Sequence, residues 1–311
     1  MRVAIGLLRD AAGRVLISRR TGRVHLSGLW EFPGGKCAPG ESARGALERE
    51  LREELEVEVV EATRILTVRH DYPERRVELA VFRVDAWRGG ARPREAQPLC
   101  WAEPAELAGL RFPEASRAIV NAARLPELYL ISPDPDSPAA VEYEARRVAR
   151  RLARGGIRLL QIRAPGLGRA AFLDYARRLM DAAAGHGAEV LVNAPEAWRE
   201  ALPPAGCHLP ERRLRTLAAR PHGDGWIAAS VHDVEGLERA MALPVDFVVA
   251  GPIERTRTHP DAQPIGISGL AALCERASCP VFALGGLQPG DLGRLRAVGA
   301  QGIAGIRGLL D

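Results

Sequence analysis

The stretch that decides the fold of the first half of the chain reads GGKCAPGESARGALERELREELEV and covers residues 34–57. Glu50, Glu53 and Glu54 follow one another at spacings of three and one, so a helix here would project all three carboxylates from one face. Like charges at these spacings repel unless a cation lies between them. Because carboxylate oxygens bind Mg²⁺ and Mn²⁺ alongside substrate phosphates, the stretch predicts a metal-binding helix.

The ends and the apolar positions of this helix can also be predicted. Ser42 is a residue type that caps helix N-termini, and Pro33-Gly34-Gly35 just upstream allows the backbone to approach a bound ion closely. A solvated, highly charged helix is the alternative. It accounts for the charges of the helix but not for the presence of Glu41 and of the upstream glycines at fixed distances from the three carboxylates. The expected buried stripe consists of Ala43, Ala46, Leu47, Leu51 and Leu55.

The spacing of Gly35, Glu41, Arg49-Glu50-Leu51 and Glu53-Glu54 resembles the Nudix box, the signature of hydrolases that cut a pyrophosphate linked to another moiety. One position departs from the pattern, because Glu56 stands where the family closes its box with glycine. The resemblance implies a divalent metal ion and a water molecule deprotonated by a carboxylate. Glu50 and Glu53 are the candidate catalytic bases.

A wider resemblance, over residues 1–125, points to the MutT branch of this family, which hydrolyses oxidised dGTP. It rests on the segment WEFPGGK at residues 30–36, on Arg19-Arg20 before it and on Glu95 after the box. Mg²⁺, with Mn²⁺ as an alternative, is the implied cofactor, and a nucleotide is the implied substrate. The implied metal site comprises Gly34, Glu50, Glu53, Glu54 and Glu95, and the implied substrate contacts are Arg20, His25, Glu31, Phe32, Pro33 and Ser116.

Ser116 stands where the branch places an asparagine that reads the purine edge. An amide offers a donor and an acceptor together, whereas a hydroxyl cannot make the same paired contact. Nudix chemistry on a different pyrophosphate, such as one from the thiamine pathway, is therefore kept as an alternative.

Composition limits the classes of protein that the 311 residues can form. The length suits two domains, and 47% hydrophobic with 26% charged residues is typical of a globular protein. Five scattered cysteines and the lack of a signal-like or membrane-spanning run predict a reduced, cytoplasmic protein with no membrane partner. The net charge of +4 is dispersed along the chain, which argues against binding a nucleic-acid polymer.

The first domain is predicted to span residues 1–126 as an α/β/α sandwich of the α+β class. Strands are expected where apolar and polar residues alternate, and helices where they recur at helical spacing. The predicted strands are 3–8, 14–18, 61–70, 76–87 and 99–101, and the predicted helices besides the box helix are 104–110 and 113–123.

The second domain is predicted to span residues 127–311 as a compact (β/α)8 TIM barrel, with a doubly wound open sheet as second choice. Eight short apolar runs alternate there with segments of helical composition. The runs are 128–131, 157–162, 189–192, 206–209, 226–231, 246–250, 280–284 and 301–306. The helices are expected near 139–154, 168–186, 195–202, 211–219, 233–242, 267–277 and 288–297.

This half resembles thiamine-phosphate synthase and thiazole tautomerase, through motifs such as Gln161-Ile162-Arg163, Cys207-His208-Leu209 and Ser230-Val231-His232. A phosphorylated ligand is implied near the last two strands, at Gly285, Gly286, Gly305 and Arg307. His232 matches a histidine that the tautomerase uses for proton transfer.

Several positions depart from the synthase pattern. Pro165 replaces a lysine, Ala194 replaces an aspartate, and Ala205 and Arg213 replace acidic residues near His208. These family positions hold pyrophosphate and magnesium, which proline, alanine and arginine cannot do in the same way. We therefore expect a barrel without synthase activity, which leaves a tautomerase-like isomerase and a purely ligand-binding domain as alternatives.

Overall fold

The computed structural model describes residues 1–20, 28–73, 75–92, 98–221, 223, 225–256 and 263–311. Two predicted site residues, His25 and Glu95, lie outside them. The described chain divides into two compact units, Met1–Leu125 and, for the most part, Pro126–Asp311. Within the described ranges, no helix is both long enough and apolar enough to cross a membrane.

In its described residues, the first unit has two sheets and two α-helices. One sheet has the order β4-β1-β6-β5, with β1 parallel to β6 and antiparallel to β4, and the other has the order β3-β2-β7. The strands are β1 Arg2–Leu8, β2 Val15–Arg19, β3 Trp30–Glu31, β4 Gly34–Lys36, β5 Glu58–Tyr72, β6 Arg75–Arg88 and β7 Leu99–Ala102, and the helices are α1 Ala43–Leu55 and α2 Arg117–Arg124.

The four-stranded sheet lies between two hydrophobic clusters. Successive residues of β6 alternate between them: Leu79 and Val81 join the cluster that contains α2, and Ala80 and Phe82 join the cluster that contains α1. Side chains of a strand point alternately to the two faces of its sheet, so both faces of β6 are covered. The predicted α/β/α sandwich is confirmed.

Helix α1 begins where the sequence predicts. The Ser42 hydroxyl accepts a hydrogen bond from the Gly45 backbone N–H at 3.0 Å, which satisfies one of the free donors at the helix start. The buried residues of α1 are the five predicted for its apolar stripe, Ala43, Ala46, Leu47, Leu51 and Leu55.

The end of α1 explains the family glycine that Glu56 replaces. Glu56 has φ of 57° and ψ of 32°, which is the left-handed conformation, and its N–H donates to the Arg52 carbonyl at 3.2 Å. Glycine adopts this conformation without steric cost, whereas a residue with a Cβ does not. Glu56 therefore adopts the left-handed conformation that favours glycine, although it is a less favourable residue for it.

One predicted helix of this unit is wrong. Residues 104–110 form only a 3-10 turn at Glu106–Gly109, because one turn ending in glycine is too short to propagate an α-helix. The segment predicted at 113–123 starts as a second 3-10 turn, Glu114–Ser116, before α2.

The second unit is a closed barrel of eight parallel strands. All eight predicted strands and the seven predicted helices are present, with ends shifted by a few residues. The strands are β8 Leu128–Ile131, β9 Leu159–Ile162, β10 Glu189–Val192, β11 Gly206–Leu209, β12 Ile227–Val231, β13 Phe247–Ala250, β14 Val281–Leu284 and β15 Gly302–Gly305. The helices are α3 Val141–Ala153, α4 Arg169–Gly185, α5 Glu196–Arg199, α6 Glu211–Leu214, α7 Val234–Ala242, α8 Gly266–Arg276, α9 Leu292–Ala297 and α10 Arg307–Leu310.

The barrel closes between its first and last strands, where Ile303 of β15 pairs with Leu128 of β8. Its interior is filled by side chains. The rings of Tyr129, Phe247 and Phe282 lie 5.3–5.8 Å apart, centre to centre, and all three are fully buried. The barrel axis is therefore a packed core, and ligands can reach only its ends.

Candidate active site

The carboxylate of Glu50 lies directly against the backbone of Gly35. A Cβ added to Gly35 would be 2.2 Å from Glu50 Cδ, so any larger residue would displace the carboxylate. Gly34 is fixed by another contact, since its Cβ would be 2.1 Å from the Ala4 carbonyl oxygen of β1, and its φ of 139° suits glycine. The two glycines let α1, β4 and β1 meet at the point where Glu50 is presented.

Arg49 connects the carboxylates around this point. Its Nε and Nη2 donate to the two oxygens of Glu41, both at 3.0 Å, and its Nη1 donates to Glu50 Oε1 at 2.9 Å and Glu53 Oε2 at 3.2 Å. Nη2 also donates to the Lys36 carbonyl at 3.0 Å. One guanidinium group therefore fixes the loop before α1 and two carboxylates on α1.

Hydrogen bonds from Arg49 lower the pKa of the Glu41 carboxyl, and those same contacts raise the pKa of the guanidinium. Glu41 also accepts a hydrogen bond from the Ala38 N–H at 2.8 Å. From the sequence, Glu41 and Arg49 are positions of the motif without a predicted role. Their fixed spacing in the box was the available signal that they hold it together.

The donor set fits a hard divalent cation. Glu50, Glu53 and Glu54 supply only carboxylate oxygens, which is the chemistry that Mg²⁺ and Mn²⁺ prefer. The Glu53 side chain is 60% exposed and can reorient. Within the described ranges, no three His, Cys, Asp or Glu side chains are gathered as a metal site. Arg49 Nη1 contacts two of these carboxylates, those of Glu50 and Glu53.

The predicted substrate-contacting residues differ in their accessibility. Arg20 and Glu31 form an ion pair at 2.5 Å, with about a third of each side chain exposed. Phe32 is only 3% exposed and stacks on Phe112 at 5.2 Å between ring centres, so in this structure its side chain belongs to the hydrophobic core. Contact of Phe32 with a nucleotide stays a prediction.

Pro33 and Ser116 are also buried. The Pro33 carbonyl accepts a hydrogen bond from the Gly6 N–H at 2.8 Å, which ties the approach to the box to β1. Ser116, 8% exposed, ends the 3-10 turn before α2. The substrate contacts predicted for these two residues also stay predictions.

In the barrel, His232 follows β12 and lies between two acceptors. Its Nδ1 contacts the Gly251 carbonyl oxygen, and its Nε2 is 3.4 Å from Glu211 Oε2. An imidazole held between a carbonyl and a carboxylate has the surroundings of a proton-transfer group.

At Gly285 and Gly286, two of the glycines predicted to bind phosphate, a side chain would collide with neighbouring residues. Gly285 and Gly286 have φ of 112° and 73°, and a Cβ on either would lie 2.8 Å from a side-chain carbon, of Pro252 and Glu254 respectively. Gly305 ends β15, and Arg307 begins α10, which has only four residues. Such a short helix contributes little dipole to an anion site, so a phosphate site here finds no support from α10.

A pocket with a volume of about 300 Å³ lies at the carboxyl ends of β9, β10 and β11 and brings together the positions at which the sequence departs from the synthase pattern, Pro165, Ala194 and Arg213. His208 forms part of its wall, and its Nε2 is 2.8 Å from Ser230 Oγ. Burial, with a smaller contribution from Arg163, lowers the pKa of His208 to about 3. The described residues that line the pocket are Arg163, Ala164, Pro165, Phe172, Asn193, Ala194, Pro195, Trp198, Arg199, Cys207, His208, Leu209, Pro210, Arg212 and Arg213.

Comparison with known proteins assigns each unit to a family. A family model described as "NUDIX domain" matches residues 4–122, and one described as "Thiamine monophosphate synthase" matches residues 128–309. The chain belongs to both families. Its first unit is a Nudix domain and its second is a thiamine monophosphate synthase-family barrel.

Individual relatives agree with this division. The Nudix domain is 40% identical over 88 residues to the 8-oxo-dGTP diphosphatase of Proteus vulgaris. This match covers 28% of this chain and 79% of that protein. It is 29% identical over 120 residues to the 8-oxo-dGTP diphosphatase of Escherichia coli, covering 39% of this chain and 93% of that protein. The barrel is 30% identical over 162 residues to a putative thiamine-phosphate synthase of Aquifex aeolicus, covering 52% of this chain and 87% of that protein.

The Nudix domain is therefore a hydrolase of pyrophosphate bonds, and Nudix hydrolases generally use divalent metal ions.

Proposed function

We propose that the Nudix domain hydrolyses an oxidised deoxynucleoside triphosphate, of the 8-oxo-dGTP kind, to the monophosphate and pyrophosphate with Mg²⁺. The observation that carries the proposal is the Glu50 carboxylate placed against Gly35, with Arg49 joining it to Glu53. Relatives named 8-oxo-dGTP diphosphatase support the choice of substrate.

In this proposal Glu50, Glu53 and Glu54 hold the ion, together with the backbone at Gly34, and Glu95 is a further ligand. Bound Mg²⁺ would neutralise phosphate charge and lower the pKa of a water molecule. Glu50 or Glu53 takes the proton from that water, and Arg49 keeps both carboxylates oriented. Arg20 and Glu31 are exposed enough to contact a nucleotide.

The test is steady-state hydrolysis of 8-oxo-dGTP by the full chain and by Glu53→Gln, with the products identified. We expect the variant to lose about 100-fold or more of kcat, as for removal of a general base. Glu48→Gln is the matched control, because Glu48 lies on the same helix and pairs with Arg44. Wild-type turnover by Glu53→Gln would refute the assignment.

The same assay decides the substrate. A screen with the unmodified nucleotides, 8-oxo-dGTP and thiamine-type diphosphates should give the highest kcat/KM for the oxidised nucleotide. Preference for a thiamine-type diphosphate would establish the alternative that the fusion to the barrel suggests. Release of orthophosphate would contradict the proposed products.

A second candidate activity belongs to the barrel, as a thiazole tautomerase-like isomerase. The position of His232 between Gly251 and Glu211 favours it. We expect His232→Asn to abolish isomerisation of a thiazole phosphate without changing nucleotide hydrolysis. If the wild-type chain does not isomerise the thiazole phosphate, the barrel serves another purpose.

A further inference from the structure

Glu211 is a largely buried carboxylate that faces His232. It begins α6, directly after β11, and His232 follows β12, the neighbouring strand of the barrel. The Glu211 side chain is 15% exposed, against 55% for His232, and its Oε2 is 3.4 Å from His232 Nε2. In the part of the chain that the structure describes, no arginine or lysine nitrogen lies within 4.0 Å of this carboxylate. Because a carboxylate withdrawn from water needs a partner, the imidazole is the group that supplies it.

The first turn of α7 determines where the Glu211 carboxylate lies. A Cβ added to Gly236 would be 2.6 Å from Glu211 Oε1, so the missing side chain leaves the space that the carboxylate occupies. The Gly236 N–H is already used, since it donates to the capping residue Asp233 at 2.7 Å. The positive end of the helix dipole also attracts a carboxylate. Glu211 is therefore held beside α7 with its other oxygen directed at His232.

Both ring nitrogens of His232 face acceptors. Nδ1 contacts the Gly251 carbonyl oxygen, which can only accept a hydrogen bond, and Nε2 faces the carboxylate of Glu211. A neutral imidazole carries a single N–H and can satisfy only one of them. When Nδ1–H donates to Gly251, Glu211 is satisfied only if Nε2 also carries a hydrogen. The arrangement therefore favours the ring form with a hydrogen on each nitrogen.

We propose that Glu211 is a positioning residue that keeps a hydrogen on Nε2 of His232 and so makes His232 the proton donor of the isomerisation. The inference rests on the isomerase function proposed for the barrel. In the reaction the Nε2 proton passes to one atom of the substrate, and the ring, now neutral, takes a proton from another atom. The substrate gains and loses one proton, His232 returns to its first state, and Glu211 keeps its charge throughout.

The first test observes the His232 ring directly, without substrate. In the isotope-labelled full chain at about pH 7, long-range proton–nitrogen correlation spectra distinguish a ring nitrogen that carries hydrogen from one that does not. The signals of His232, one of seven histidines, are those that His232→Asn removes. We expect hydrogen on both nitrogens in the wild type. In Glu211→Gln we expect hydrogen on Nδ1 alone, because the amide can donate to Nε2.

A second variant moves the carboxylate without removing it. In Gly236→Ala the new Cβ would displace Glu211 Oε1, and alanine suits the helix α7 better than glycine does. We expect Nε2 to lose its hydrogen here as well. Glu235→Gln is the matched control, because it removes the same charge from the first turn of α7 but at an exposed residue that pairs with Arg239. Its His232 spectrum should be that of the wild type.

Isomerisation of a thiazole phosphate gives an independent measurement. Glu211→Gln and Gly236→Ala should lower kcat about 10-fold to 100-fold with little change in KM, because proton transfer is impaired and binding is not. Glu235→Gln should keep the wild-type kcat, and circular dichroism shows whether each variant is folded. An unchanged His232 spectrum or a wild-type kcat in folded Glu211→Gln would overturn the proposal. If the spectra change as expected but the wild type does not isomerise the substrate, the isomerase function is refuted and the control of Nε2 by Glu211 stands.

Discussion

Arg49 binds Glu41 through two parallel hydrogen bonds, Nε to Oε1 and Nη2 to Oε2, both 3.0 Å long. Glu41 lies before α1 and Arg49 in its middle, so the pair sets the distance between the Gly-rich loop and the helix. The remaining nitrogen of Arg49 contacts Glu50 and Glu53. One arginine therefore fixes the positions of the two carboxylates that we propose as catalytic bases.

Replacing Arg49 should affect turnover more than folding. We expect Arg49→Ala to lower kcat about 100-fold, because misplaced catalytic groups cost rates of this order. Arg49→Lys should recover little, since an ammonium cannot reproduce the paired contact with Glu41. Arg52→Ala, on an exposed position of the same helix, is the control. A wild-type kcat in folded Arg49→Ala would show that the carboxylates position themselves.

A methyl group at residue 35 should displace Glu50. In Gly35→Ala the new Cβ would overlap the Glu50 carboxylate, and we expect kcat to fall about 100-fold with the secondary structure intact. Gly109→Ala is a matched control because no atom lies within 4 Å of its added Cβ. If both variants have wild-type kcat, Glu50 is not held at the reacting centre. Circular dichroism compares the secondary structure of the two variants, and hydrolysis rates compare their kcat.

Replacing Glu56, which has a left-handed backbone conformation, by glycine should stabilise the protein. We expect Glu56→Gly to raise the free energy of unfolding by about 1 kcal/mol, because glycine removes the cost of a Cβ in this conformation. Urea denaturation measures the change. Glu58→Gly, two residues later in β5, should instead lower stability, because glycine weakens strands. A loss of stability in Glu56→Gly would mean that the side chain of Glu56 contributes more than its backbone costs.

His208 should make the barrel sensitive to acid. Its pKa of about 3 in the folded chain is below the ordinary value of 6.5, so well above pH 6.5 the residue is neutral in both the folded and the unfolded state. Below pH 6.5 only the unfolded chain takes up this proton. The free energy of unfolding should therefore fall by about 1.4 kcal/mol per pH unit towards pH 3.

The comparison of the wild type with His208→Gln isolates this contribution. The stability difference between them should be constant from pH 7 to pH 8 and should shift in favour of the variant from pH 6 to pH 5. Denaturant titrations at these four pH values measure it, and the other titrating groups cancel in the difference. Parallel pH profiles would show that His208 can be protonated in the folded barrel.

Strong local patterns made most of the fold predictable from the sequence. The α1 stripe repeats at helical spacing, and the eight barrel strands are short apolar runs separated by amphipathic helices. The two-residue β3 and three-residue β4 are too short to show alternation. They exist because they pair with β2 and β1, respectively, and a pairing partner cannot be read from two or three residues.

The Nudix site could be predicted from the sequence better than the barrel pocket, because only local patterns are visible in a sequence. The Nudix carboxylates lie on one helix, so their spacing indicates their geometry. The pocket at the carboxyl ends of β9, β10 and β11 is assembled from three loops by closure of the barrel, and no short spacing in the sequence relates Arg163 to Arg199 or Arg213. The burial of Phe32 likewise depends on Phe112, eighty residues later.

Closure of the barrel depends on one crowded position. Gly302 opens β15 beside Glu127, and a Cβ there would be 1.9 Å from the Glu127 carbonyl oxygen. A larger residue would separate β15 from β8 and leave two strands with unpaired backbone groups. Exposed edges of this kind recruit other chains. Substitution of Gly302 should therefore promote aggregation of the protein, even though the residue is far in sequence from the Nudix carboxylates and from His232.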